Sequence, residues 1–224
     1  MTSFSDPQAV SVYAENAVRQ VPGYHHLQTM AGLLLAERAP TDGRILVLGA
    51  GGGMELELFA RMQADWRFTG VDPSAEMLEL ARTQLGAQAQ RVAFHHGYID
   101  DAPEGPFDGA VCLLTLHFLP EVERRKTVGE VYRRLRPGAP FVVAHHSFRR
   151  DGDETAKWLK RYAAFAIASG VPAAQANGAI AAMAEKLPAL SPEQDEAILR
   201  DAGFADVELF YAAFSFRGWV GHKG

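Results

Sequence analysis

The chain has 224 residues, 48% hydrophobic and 22% charged, the balance of one globular domain whose core needs no metal or disulfide staple. Its 22 Lys and Arg stand against 27 Asp and Glu, and the net charge of −5 argues against a protein built to grip nucleic-acid phosphates. The single cysteine, Cys112, excludes an internal disulfide and Cys-rich zinc sites; no apolar run is long enough for a membrane span or a secretory signal, so a cytoplasmic setting is expected.

Two helical patterns open the chain, over 7–19 and 24–38, separated by Val21-Pro22-Gly23. In the second, Leu27, Met30, Ala31, Leu34 and Leu35 recur at helical spacing. Arg44-Ile45-Leu46-Val47-Leu48 then reads as a strand buried on both faces and ending in glycines. Helices over 53–63 and 74–85 alternate with strands over 66–71 and 91–95, followed by a strand at 107–113, a helix at 120–136 and a strand at 140–145. That alternation predicts a doubly wound parallel sheet. Two alanine-rich helices follow over 153–169 and 172–186, and Ser191-Pro192-Glu193-Gln194 matches a capping box opening another. The tail, 205–212 and 213–220, has the alternating aromatic pattern of an antiparallel strand pair.

The fold expected is therefore α/β: a Rossmann-like, doubly wound, seven-stranded and mostly parallel sheet with an antiparallel C-terminal hairpin. It is read as a single domain over 1–224, with N-terminal helices over 1–40, a ligand-binding core over 41–150, a helical lid insertion over 151–190, and the last helix and hairpin over 191–224.

Gly49-Ala50-Gly51-Gly52-Gly53 joins the first strand to its helix. Glycines there permit positive φ and let a ligand approach the free N–H groups of the helix start. The dinucleotide fingerprint needs a further glycine where Met54 stands, and a lysine-containing phosphate loop is absent. At the end of the second strand, Asp72 is placed either to accept hydrogen bonds from ribose hydroxyls or to cap the next helix behind Pro73. With the glycine loop about 20 residues upstream, the ribose role is the expected one.

The segments 45–60 (ILVLGAGGGMELELFA), 69–74 (TGVDPS), 107–119 (FDGAVCLLTLHFL) and 135–143 (LRPGAPFVV) together resemble the successive motifs of class I S-adenosylmethionine-dependent methyltransferases. The resemblance covers about residues 40–220 and implies S-adenosyl-L-methionine as cofactor. It implies that Gly49, Ala50 and Gly51 meet the methionine part, that Asp72 holds the ribose, and that Pro73, Met77, Tyr98, Ile99 and Leu114 line the rest of the cofactor site. The loop His96-Gly97-Tyr98-Ile99-Asp100 replaces the family's acidic residue beside the adenine. A narrower resemblance, through Val21-Pro22-Gly23-Tyr24, Ala202-Gly203-Phe204 and Phe214-Ser215-Phe216, is to carboxy-S-adenosylmethionine synthases, which modify the cofactor using prephenate; it implies that Tyr24 reaches the cofactor. That family's lid arginine has no counterpart over 163–186, and Leu113 stands for its strand-four asparagine.

Methyl transfer to a small-molecule acceptor is the leading expectation. Modification of the cofactor itself, an NAD-linked oxidoreductase and a non-catalytic binding module are the alternatives. Neither nucleic acid nor membrane is an expected partner, and a homodimer is left open. His117, His145 and His146 are the candidates for a general base, against the plainer reading of polar strand ends. With no convergent ligand set, no metal is expected. The charge run along 120–136 reads as a solvated helix face and Cys112 as an inert core residue. The insertion over 153–186 is expected to stand above the pocket, either as a cover hinged at Gly170-Val171-Pro172 or as a plain structural insertion.

Overall fold

Seven strands form one sheet in the order β3-β2-β1-β4-β5-β7-β6 in the computed structural model, which describes residues 13–224. The strands are β1 (Arg44–Leu48), β2 (Arg67–Asp72), β3 (Val92–His96), β4 (Gly109–Leu113), β5 (Pro140–His146), β6 (Phe204–Ala213) and β7 (Phe216–Lys223). The first five are parallel, and β7 runs antiparallel to both β5 and β6. The hairpin turn falls at Phe214-Ser215, one residue later than the tail pattern suggested. Strand order reverses between β1 and β4, so the crevice beyond their carboxyl ends is the switch point at which open α/β sheets bind ligands.

Helices cover both faces. Successive β1 side chains point opposite ways: Ile45 and Val47 enter one core cluster, Leu46 and Leu48 the other. The first cluster includes Leu27, Ala31 and Leu35 of α2 (Tyr24–Ala36), Leu56 and Phe59 of α3 (Met54–Met62), and Leu78 of α4 (Ala75–Leu85). The second gathers Val128 and Val131 of α5 (Glu121–Arg134) with Ile198 and Leu199 of α8 (Pro192–Asp201). The helix expected over 7–19 is described only as α1 (Tyr13–Gln20); its earlier part lies outside the described residues. The capping box is formed: Ser191 and Gln194 satisfy each other's backbone N–H groups. Among the described residues no helix is long and apolar enough to cross a membrane.

The solvated-face reading of 120–136 requires correction. Arg125, Lys126 and Arg133 are indeed exposed, but Arg124 and Arg134 have side-chain exposures of 1% and 0%. Arg124 Nη1 donates to Asp195 Oδ1 at 2.6 Å, and its Nη2 donates to the carbonyls of Leu119 at 3.2 Å and Pro188 at 2.9 Å. Arg134 pairs with Glu130 and donates to the carbonyls of Pro103 and Ala102, each at 3.2 Å. Arg124 spends its fork on partners that a three- or four-residue charge spacing cannot reveal, and Arg134 adds carbonyls 31 and 32 residues away to its four-residue pair with Glu130. The inert reading of Cys112 agrees with its place in the core, where burial pushes the thiol up to about 12.

The insertion is an antiparallel pair, α6 (Gly152–Ala168) and α7 (Ala173–Lys186), broken at Gly170 with φ 93°. Helix α6 buries Leu159, Tyr162, Ala163 and Ala166; α7 buries only Ala176. Alanine gives each buried position little area, so α7 is weakly anchored.

Candidate functional site

The chain turns from β1 into α3 through Gly49, Gly51 and Gly53 at φ 72°, 47° and 79°, a backbone that L side chains rarely adopt. At Gly49 the requirement is double. A Cβ there would lie 2.1 Å from Thr115 Oγ1, because the loops leaving β1 and β4 touch across the switch point. A Cβ at Gly53 would lie 2.8 Å from the Ala81 Cβ, so α3 and α4 also pack at glycine distance.

Asp72 ends β2 and is buried, with 8% of its surface exposed. Its Oδ2 accepts from the Gly51 N–H and its Oδ1 from the Ser74 N–H, both at 2.9 Å. The helix cap itself is Ser74, whose hydroxyl accepts from the Met77 N–H at 3.1 Å. The capping alternative for Asp72 is thereby assigned elsewhere. Each carboxylate oxygen retains a second lone pair for a ligand hydroxyl. Burial raises the Asp72 carboxyl, against the two backbone N–H groups and His96, which lower it.

Tyr24 comes from α2 to the same loop. Its hydroxyl accepts from Gln28 Nε2 at 2.9 Å and lies 3.5 Å from the Met54 sulfur, directly after the glycines. One turn into α3, Glu55 is buried with no cationic partner. Burial, opposed by its own backbone N–H and reinforced by the Asp72 charge, pushes its carboxyl up to about 8. Sequence reasoning passed over Glu55, although its spacing from Phe59 puts it on the helix face that enters the core. It likewise passed over Gln28 and Asp195, both buried polar residues whose partners lie on other elements or on one helix face.

The remaining expected cofactor residues scatter. Ala50 and Met77 are buried, Pro73 is exposed, and Tyr98 is 66% exposed. Ile99 turns its side chain into the second core cluster, which also holds Leu48 and Val71 from the ends of β1 and β2. Leu114 sits at φ 60° with its N–H on the Ala144 carbonyl at 2.6 Å, tying the end of β4 to β5.

The three candidate histidines divide by strand alternation. His145 Nε2 lies 3.2 Å from Asp195 Oδ1, on the side of the sheet holding Trp219, and so belongs to the Arg124 network. There Asp195 is held below the usual carboxylate range, burial being outweighed by the His145 and Arg124 charges. His146 stacks on Phe216 at 3.9 Å, meets Tyr162 of α6 at 5.4 Å, and places Nδ1 2.9 Å from Ser215 Oγ. Its ring lies 4.9 Å from that of His117. Burial pushes His146 down to about 3, with the His145 charge adding to it, and pushes His117 well below its ordinary value, with His146, His145 and Arg124 adding there. A base that weak accepts little proton density at neutral pH.

Because both imidazoles are depressed in the folded state, their stabilising contribution is present above about pH 6.5 and is lost as pH falls toward about 3. Urea midpoints are expected to fall steadily below pH 6.5, and His146→Asn to flatten that slope. An unchanged slope would assign the acid sensitivity to other groups.

The electrostatics of the rim select among ligands. The buried Asp72 stands beside the glycine loop, and a pyrophosphate brought there would meet like charge in a poorly screened site. A ligand with ribose hydroxyls and a net positive charge suits the same carboxylate. Among the described residues no cluster of three potential metal ligands occurs.

Comparison with known proteins agrees. The profile of a methyltransferase domain family matches residues 45–138. The carboxy-S-adenosyl-L-methionine synthase of Chromohalobacter salexigens is 28% identical over 222 residues, covering 97% of this chain and 82% of that protein. The one from Actinobacillus succinogenes is 29% identical over 225 residues, covering 97% and 92%. Among solved structures, phosphoethanolamine N-methyltransferase 2 of Haemonchus contortus, in complex with S-adenosyl-L-methionine, superposes with a TM-score of 0.70 at 14% identity. That match covers 100% of this chain and 60% of the larger protein, so the chain spans less than two thirds of it.

Proposed function

We propose that this chain is a class I S-adenosylmethionine-dependent methyltransferase, with S-adenosylmethionine as its cofactor, and that it transfers the methyl group to a small-molecule acceptor held between the glycine rim and the α6–α7 pair. The observation that carries this reading is the glycine turn joined to Asp72 at the strand-order switch, a buried acidic rim that suits a cationic adenosine ligand. In this reading Gly49, Ala50 and Gly51 pack against the methionine part, Asp72 accepts the ribose hydroxyls, and Tyr24 closes one side. The cofactor, when bound, supplies a methyl group already activated by its sulfonium. The chain therefore has to align the acceptor and exclude water. The weak basicity of His117 and His146 fits such alignment chemistry better than proton abstraction. The net charge of −5 supports a small acceptor over a nucleic acid.

Removing a carboxylate that accepts ribose hydrogen bonds costs on the order of 1.5–3 kcal/mol, or about 10- to 150-fold in affinity. Asp72→Ala is expected to weaken S-adenosylmethionine binding by that factor in calorimetry, with circular dichroism unchanged. An unaltered dissociation constant would remove Asp72 from the site.

A second reading, conversion of the cofactor itself, is favoured by the near-full-length match to proteins named carboxy-S-adenosyl-L-methionine synthases. Against it, the only arginine over 153–186 is Arg161, which is exposed and lies over the Trp158 ring at 4.7 Å. A carboxylate buried under α6 and α7 would then lack a charge partner from them. Mass spectrometry of the products, with and without prephenate, separates the two. S-adenosylhomocysteine formed with an acceptor supports methyl transfer, whereas a carboxylated cofactor formed with prephenate supports the second reading.

A further inference from the structure

Glu55 is a buried acid that the methyl-transfer reading does not use, and it stands next to the cofactor rim. It occupies the first turn of α3, two residues beyond Gly53, with 7% of its surface exposed. Its helix starts at the end of the glycine turn that leaves β1, the turn whose Gly51 N–H donates to Asp72 at the end of the neighbouring β2. Glu55 thus lies one turn beyond the carboxyl end of β1, beside the switch point. Its own backbone N–H and the repelling Asp72 charge act on it, and among the described residues no lysine, arginine or histidine pairs with it. His96 lies beside Asp72, and Tyr24 of α2, held by Gln28, lies at Met54, the residue before Glu55. An isolated carboxylate buried beside a second one is costly, and a positive charge arriving from outside the chain relieves that cost.

We propose that Glu55 is the counter-charge of the cofactor's cationic end, and that it makes the protein prefer S-adenosylmethionine to its demethylated product. The inference rests on S-adenosylmethionine being the cofactor. S-adenosylmethionine carries a sulfonium and an ammonium against one carboxylate. S-adenosylhomocysteine has lost the sulfonium charge, so its attraction to Glu55 is weaker. The consequence is a proton-coupled equilibrium. Below about pH 8 the free protein holds a proton on Glu55; a bound cation lowers the affinity for that proton, which leaves to solvent as the carboxylate forms. Substrate binding thus releases a proton, and product binding releases less. The same carboxylate would speed product exchange by holding the spent cofactor less tightly.

Calorimetric titration of the full chain at pH 7, in buffers of different ionisation enthalpy, counts the protons released. Wild type is expected to release a substantial fraction of one proton per S-adenosylmethionine bound, and less for S-adenosylhomocysteine. Glu55→Gln keeps the shape and removes the charge. It is expected to lose that release, to weaken S-adenosylmethionine binding at pH 8.5 by roughly tenfold, and to change S-adenosylhomocysteine binding by no more than about twofold. The ligand's own amine titrates equally in both proteins, so the difference between them isolates Glu55. Glu55→Ala provides the same comparison should the glutamine variant fail to fold. Equal proton release and equal selectivity in wild type and a folded variant would overturn the proposal. A wild-type protein that binds neither ligand would instead overturn the cofactor assignment.

Discussion

Arg124→Met is expected to destabilise the protein by about 3–5 kcal/mol, because it leaves the buried Asp195 without its guanidinium, beside the His145 imidazole alone of its two charge partners. The side chains of that pair are 1% and 2% exposed, and the guanidinium also holds the carbonyls of Leu119 and Pro188. In a chain of this size the loss lowers the melting temperature by roughly 10 °C. Urea denaturation of the single variant and of Arg124→Met combined with Asp195→Asn checks the cause. The double variant should recover much of the loss, since it removes the stranded charge along with the cation. A single variant within about 0.5 kcal/mol of wild type would mean that the buried pair contributes nothing beyond its packing.

Gly49→Ala is expected to cost about 2–4 kcal/mol and to abolish cofactor binding. Positive φ alone penalises a Cβ by roughly 1–2 kcal/mol. The approach of 2.1 Å to Thr115 Oγ1 adds an overlap that must be relieved by moving the β4 loop. Adding Thr115→Ala removes the nearest atom and should restore part of the stability. It should not restore binding, because the loop backbone remains displaced from the ligand. Recovery of both together would make the steric contact, and not the left-handed turn, the controlling feature.

The sheet was readable because its causes are local. An aliphatic run such as Ile45–Leu48, a glycine turn and an acid at the next strand end stand within about 30 residues of one another, and each carries its own period or spacing. Arg124 was misread for the opposite reason. Its carboxylate partner lies 71 residues away on α8, and a solvated and a buried arginine look alike until that helix is docked. His145 and His146 were indistinguishable as neighbours in sequence. Only the sense of strand alternation sends one to Asp195 and the other to Ser215. Glu55 had a local signal, a charge on a stripe shared with Leu56 and Phe59, but its unpaired state depends on the absence of any cation across the crevice.

Strand β6 ends the sheet and offers one side of its backbone to solvent. A straight, regular strand in that position would be a template on which another unfolded chain could extend the ladder. Here the pairing with β7 slips twice, between Ala205 and Glu208 and between Leu209 and Tyr211, and Asp206 takes φ 49°. The two slips break the spacing of the free N–H and C=O groups, and Asp206 and Glu208 put negative charge along the same stretch. An incoming strand could pair with only a few residues before losing register and meeting repulsion. The edge that completes the sheet is thus also shaped against intermolecular growth, which lets a long, half-apolar hairpin exist at the border of the fold without seeding aggregation.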